Sequence, residues 1–144
     1  MIIFNEDNAK SRLKNRRIIK NWIKEVAKSY GLVLGDLSYI FCNDDMILEV
    51  NRQYLQHDYF TDIITFDYVE SNVCSGDMFI SVDTVKSNAE LFNSTYINEL
   101  HRVVIHGVLH LCGLKDKSPK DEKKMRAAED KALSLLEEML SQAK

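Results

Sequence analysis

Two histidines stand four residues apart in the run His106-Gly-Val-Leu-His110-Leu-Cys-Gly113-Leu-Lys-Asp116. On a helix, residues at this spacing share a face one turn apart, so both imidazoles can converge on one ion. Gly113 lets the chain leave the helix through a left-handed turn, and Asp116 can then swing back as a third, oxygen donor. Two neutral nitrogens and a carboxylate are a ligand set for catalytic Zn2+, with the fourth position left to water. The candidate catalytic group is therefore a zinc-bound water held by His106, His110 and Asp116. Its pKa falls from 15.7 to roughly 7, so a hydroxide nucleophile exists at neutral pH. Hydrolysis of an ester, amide or phosphodiester is the reaction class. The competing reading, a hydrogen-bonded histidine pair in an apolar core, is outweighed by the glycine exit and the convergent carboxylate.

The same spacing resembles the zinc-binding run of metzincin-type metallopeptidases, which place a Glu directly after the first His as general base. Here that residue is Gly107, which has no group to take a proton. A zinc peptidase is the second reading.

The elements that must position these residues form a mixed pattern. Residues 2–5 read as a strand, and from about Ala9 to Tyr30 the apolar residues Ile19, Trp22, Ile23, Val26 and Tyr30 fall at helical spacing, with Gly31 as the stop. Leu37–Cys42 reads as a strand, and Asn43 caps a helix running to about Leu55. Asp62–Tyr68 and Asp77–Val82 read as strands that can pair as a hairpin. Helices follow at about Asp83–Phe92, Ile97–Cys112 and Pro119–Ser141, the last capped by Ser118. The order β-α-β-α-β-β-α-α-α lacks the strict alternation of a doubly wound sheet. The expected class is α+β, a mixed four-stranded sheet with about five helices and the zinc site at the end of a central helix.

With 144 residues, five Gly, one Pro and neither repeats nor a long linker, residues 1–144 are expected to form one domain. Cys42, Cys74 and Cys112 are odd in number and sit beside apolar residues, the pattern of reduced core thiols in a reducing compartment. The first residues lack a basic segment followed by an apolar run, and no stretch reaches the ~18 apolar residues of a membrane span, so a cytoplasmic protein with no membrane association is expected. The net charge of −3 is unevenly spread: residues 1–28 carry eight Lys/Arg against three Asp/Glu, and residues 29–114 carry three against twelve. The basic charge is assigned to the first helix, where it either tracks a polyanion or forms a solvated face.

The zinc run, including the Gly107 that a peptidase leaves unexplained, resembles the YbeY family of bacterial rRNA maturation factors. Four further segments carry the likeness in order: Val50-Asn51-x-x-Tyr54, Thr61-Asp62-Ile63-Ile64-Thr65-Phe66, Gly76-Asp77-Met78-Phe79-Ile80-Ser81, and Met125 with Glu129. The resemblance implies a zinc-dependent, single-strand-specific endoribonuclease with one Zn2+ per chain. It would act in the cytoplasm on ribosomal RNA, in maturation of the small-subunit rRNA 3′ end and in ribosome quality control. Its implied partners are single-stranded RNA and the small ribosomal subunit.

Two departures matter. The family's third ligand is usually His, and Asp116 replaces it here; the added negative charge makes the metal a weaker Lewis acid. Relatives commonly have an Arg, associated with RNA phosphate contact, where this chain has Leu55. Arg52, three residues earlier on nearly the same helix face, is the candidate to take over that contact, against the reading of a solvated surface Arg. The missing Arg also keeps open a noncatalytic ribosome-assembly factor with a structural zinc. Asp62 and Asp77 are candidates to orient a ligand or to cap turns. Tyr54, Tyr59, Phe60 and Phe66 are candidates for base stacking, with core packing as the default. His101 falls off the ligand face, His57 sits in an expected loop, and Met125 reads as core.

Overall fold

The computed structural model describes residues 1–55 and 61–143. Four strands, β1 (Ile2–Glu6), β2 (Val33–Cys42), β3 (Ile63–Asp67) and β4 (Val73–Ser81), form one sheet in the order β1-β2-β4-β3. β1, β2 and β4 are mutually parallel, and β3 runs antiparallel to β4. The five helices are α1 (Arg16–Ser29), α2 (Asp44–Leu55), α3 (Val82–Leu91), α4 (Tyr96–Leu111) and α5 (Pro119–Gln142). The mixed α+β architecture expected from the pattern is the one observed, hairpin included.

Period-two alternation divides the sheet's side chains between two cores. Leu37, Tyr39 and Phe41 of β2 and Cys74, Met78 and Ile80 of β4 join the larger core with α1, α4 and α5. Ile64 of β3 and Cys42 pack with Ile47 and Val50 of α2 in a smaller cluster that Phe66 and Phe79 flank. Two buried donors tie the larger core together: Tyr39 donates its hydroxyl to the Val104 carbonyl at 2.9 Å, and Trp22 Nε1 donates to the Ala132 carbonyl at 2.7 Å. These bonds fix α4 to β2 and α1 to α5.

The helix ends follow local chemistry. Asn43 Oδ1 accepts from the Met46 N–H, Thr95 from Asn98 and Ser118 from Asp121, each satisfying a first-turn donor. Gly31, at φ +79°, ends α1: its N–H bonds the Lys28 carbonyl while the Leu32 N–H bonds that of Ala27. Gly113, at φ +102°, does the same for α4, its N–H bonding His110 and that of Leu114 bonding Leu109. Both are paired carbonyl closures around a left-handed residue.

The first helix departs from expectation. It begins at Arg16 rather than near Ala9 because Arg12 (φ +60°) and Asn15 (φ +57°) adopt left-handed backbone. Glu6 holds the intervening loop by accepting from the N–H and hydroxyl of buried Ser11, at 2.6 and 3.0 Å. Leu13 plugs into the core. Lys10, Arg12 and Lys14 therefore lie in a loop, and Arg16 pairs with Glu6 at 3.5 Å. Cys42, Cys74 and Cys112 are free thiols, the first two buried. Among the described residues, no helix is long and apolar enough to cross a membrane.

Gly76 marks close packing of β4 against β3 and α4. A Cβ there would meet the Phe66 carbonyl oxygen at 2.7 Å and Leu111 at 3.1 Å. Gly76→Ala should therefore destabilise the fold by about 1–3 kcal/mol through overpacking against backbone. A lowered urea midpoint at unchanged slope would show it, and an unchanged midpoint would contradict this packing.

Candidate metal centre and its cleft

Nine buried residues of α4, among them Val103, Val104, Gly107, Val108 and Leu111, press this helix against the rest of the core. His106 and His110 stand on its less buried side, their rings 6.3 Å apart and within 10° of parallel. The turn at Gly113 reverses the chain and brings Asp116 Oδ2 to 3.2 Å from His106 Nε2. On its other nitrogen, His106 Nδ1 meets Glu129 Oε2 at 2.7 Å. The second Glu129 oxygen accepts from Arg102 at 2.9 Å, and Arg102 also donates to Asp130 at 2.9 Å. Arg102, His106, Asp116 and Glu129 line a cleft of about 410 Å³, with Asp62, Glu99, Glu122 and Arg126 among its other lining residues.

Spacing did not reveal the role of Glu129. One signal was present: the buried stripe of α5 is Met125, Glu129, Ala132 and Leu136, so a carboxylate occupies an apolar register. A buried charge without partners is costly, and such a position calls for a cation and a hydrogen-bond donor. Arg102 and His106 answer both demands. Burial pushes the Glu129 carboxyl upward, but these two partners outweigh it and hold the pKa below the ordinary value. Burial also opposes charge on His106; the hydrogen bond and charge of Glu129, with Asp62 and Asp116, outweigh that and raise the ring's pKa.

A neutral His106 that donates Nδ1–H to Glu129 leaves the Nε2 lone pair facing Asp116, the carboxylate–histidine arrangement that orients metal-binding imidazoles. Two donors on a tetrahedral ion at about 2.0–2.2 Å stand roughly 3.3–3.5 Å apart, close to the separation between Nε2 and Oδ2. His110 Nδ1 is buried with no hydrogen-bond partner among the described residues. The donor chemistry, the pinned His106 ring and this orphaned nitrogen fit a metal. The side chains do not yet close around one: among the described residues, no three His, Cys, Asp or Glu groups meet in a ligating cluster. His106 and Asp116 are brought together, and His110 remains one turn away.

Gly107 accounts for the absence of a base after His106. It is buried, and a Cβ there would meet Met78 Sδ at 2.4 Å and Ile63 Cδ1 at 3.0 Å. A Glu at this position would be driven into the sheet rather than toward the cleft, which removes the structural basis of the peptidase reading.

The remaining candidates separate by location. Asp62 lines the cleft, and burial raises its pKa against the opposing pull of His106. Asp77 lies on β4 and is not part of the cleft lining. Arg52 is exposed on α2 and is not part of the cleft lining. Tyr54, 61% exposed, sits edge-on to Phe66 with ring centroids 5.7 Å apart. His101 packs edge-on to Trp22 at 6.3 Å, off the ligand face. Met125 is buried core. His57, Tyr59 and Phe60 fall outside the described residues.

The raised His106 pKa means that the folded chain holds this proton more tightly than the unfolded chain does. In chelator-treated protein its contribution is fully present below about 6.5 and is lost as pH rises through the folded value. Urea midpoints should show this fall on the alkaline side, and His106→Ala should remove that part of the profile. An identical profile in the variant would contradict the pairing.

The family model described as Endoribonuclease YbeY matches residues 2–137. A protein named Endoribonuclease YbeY from Phocaeicola vulgatus is 58% identical over 136 residues, covering 94% of this chain and 99% of the relative. Its namesake from Bacteroides thetaiotaomicron is 60% identical over 120 residues, covering 83% and 88%. The solution structure of a Thermotoga maritima protein superposes with a TM-score of 0.66 at 31% identity, covering 99% of this chain and 91% of the other. Matched by this family model and by such relatives over nearly its full length, the chain belongs to the Endoribonuclease YbeY family.

Proposed function

We propose that the protein is a zinc-dependent endoribonuclease that cleaves single-stranded RNA, acting in the cytoplasm on ribosomal RNA at the small-subunit 3′ end and in ribosome quality control. The observation that carries this reading is the His106 ring fixed between Glu129 and Asp116 in the lining of the cleft, in a chain of the Endoribonuclease YbeY family.

His106, His110 and Asp116 are the residues that would hold the ion. When bound, zinc supplies Lewis acidity toward a phosphodiester and draws the pKa of a water toward roughly 7. Glu129 keeps the His106 ring in one tautomer and one orientation, and Arg102 holds Glu129 in place. His110 supplies a nitrogen that the protein leaves unsatisfied. As a carboxylate ligand in place of an imidazole, Asp116 would add negative charge at the ion and make the metal centre less acidic.

Purified protein should carry about one zinc per chain, and His106→Ala/His110→Ala should lose it. Cleavage of single-stranded RNA should fall about 10²-fold or more in His110→Ala, because Lewis-acid stabilisation is worth several kcal/mol. A zinc-loaded wild type that leaves single-stranded RNA intact, or a metal-free variant of full activity, would overturn this reading.

A further inference from the structure

A cleft that receives RNA must offer a cation to the phosphate, and this one is lined by five carboxylates: Asp62, Glu99, Asp116, Glu122 and Glu129. The arginine that the family resemblance leads one to expect is Leu55 in this chain. Among the described residues, the arginines or lysines lining the cleft are Arg102 and Arg126. Their situations differ. Arg102 is only 22% exposed at its side chain, and its two terminal nitrogens are each committed at 2.9 Å, to Glu129 and to Asp130. Arg126 is 55% exposed, and its ion pair is a 3.9 Å approach to Glu129 Oε1, the oxygen Arg102 already holds at shorter range.

The planar guanidinium of Arg126 thus projects at the cleft wall, with a carboxylate partner whose hydrogen bonding is met by other groups. An exposed pair at this distance is weak. A phosphodiester presents two unesterified oxygens that match the guanidinium fork, and charge-assisted bonds of this kind are among the stronger polar contacts. Arg126 lies one turn before Glu129 on α5, so the helix that orients the His106 ring also carries this cation.

We propose that Arg126 is the residue of this chain that contacts the RNA phosphate at the cleft, in place of the arginine missing at Leu55 and in preference to Arg52. The proposal rests on the endoribonuclease reading above and adds a substrate-binding residue to it.

The test uses zinc-loaded protein and a short, fluorescein-labelled, single-stranded 2′-O-methyl RNA, titrated at several salt concentrations, beside cleavage of the matching unmodified RNA. Arg126→Ala should weaken binding roughly tenfold and reduce the slope of log K against log salt by about 0.7, the loss of one phosphate contact on a single strand. KM should rise more than kcat falls. Arg126→Lys should keep the slope, because the charge remains, with affinity between the two. Zinc content and urea midpoint should be unchanged in both variants. Unchanged affinity and slope in Arg126→Ala, while the wild type binds and cleaves, would overturn the proposal alone. So would transfer of the whole effect to Arg52→Ala. A zinc-loaded wild type that neither binds nor cleaves would overturn the nuclease reading and this proposal with it.

Discussion

The buried carboxylate of Glu129 is the interaction on which the site depends. It lies in the apolar stripe of α5, where an unpaired charge would be costly, and each oxygen is taken by a different residue of α4, Arg102 or His106. Removing one partner leaves an uncompensated charge between two packed helices. The same contact that joins α4 to α5 therefore fixes which His106 nitrogen faces the cleft. Stability and the orientation of the His106 ring share one hydrogen-bonded group, so the helix interface cannot drift without the ring drifting too.

Close packing of α4 on the sheet supplies the complementary constraint. Gly107 gives Met78 and Ile63 the space next to His106, and Gly76 lets Leu111 and β3 approach β4. A helix seated this deeply holds its outer side steady, and the two imidazoles inherit that precision. The paired carbonyl closure at Gly113 then sets the path of the next three residues, which is how Asp116 arrives beside His106. The placement of His106, His110 and Asp116 is thus set by three backbone devices: a buried helix face, a left-handed turn and a capped restart at Ser118.

Charge around the cleft follows a related logic. Carboxylates predominate, which suits a cation and opposes an RNA phosphate. Arg102 is consumed in holding Glu129, while Arg126 stands at the wall with a distant partner. The basic residues near the N-terminus are spread over a loop and the length of α1, and Arg16 and Lys20 lie over the Phe4 ring at 5.6 and 5.7 Å. Part of that apparent basic stripe thus serves local packing.

By itself the sequence determined the element order, the helix stops at Gly31 and Gly113, the caps at Asn43 and Ser118, and the shared face of His106 and His110, because each depends on residues within one or two turns. The early start assigned to α1 failed for a nonlocal reason: Tyr96 donates its hydroxyl to the Ser11 carbonyl from 85 residues away and Leu13 is buried in the core, while left-handed Arg12 and Asn15 break the helical pattern. The partner of His106 lies 23 residues away, and no local spacing joins Glu129 to that ring until α5 is docked. Which arginine is committed and which is exposed was decided in the same step, by the distance of each from an already satisfied carboxylate. Local spacing carries backbone geometry, but the competition of several side chains for one buried charge exists only once the helices have packed.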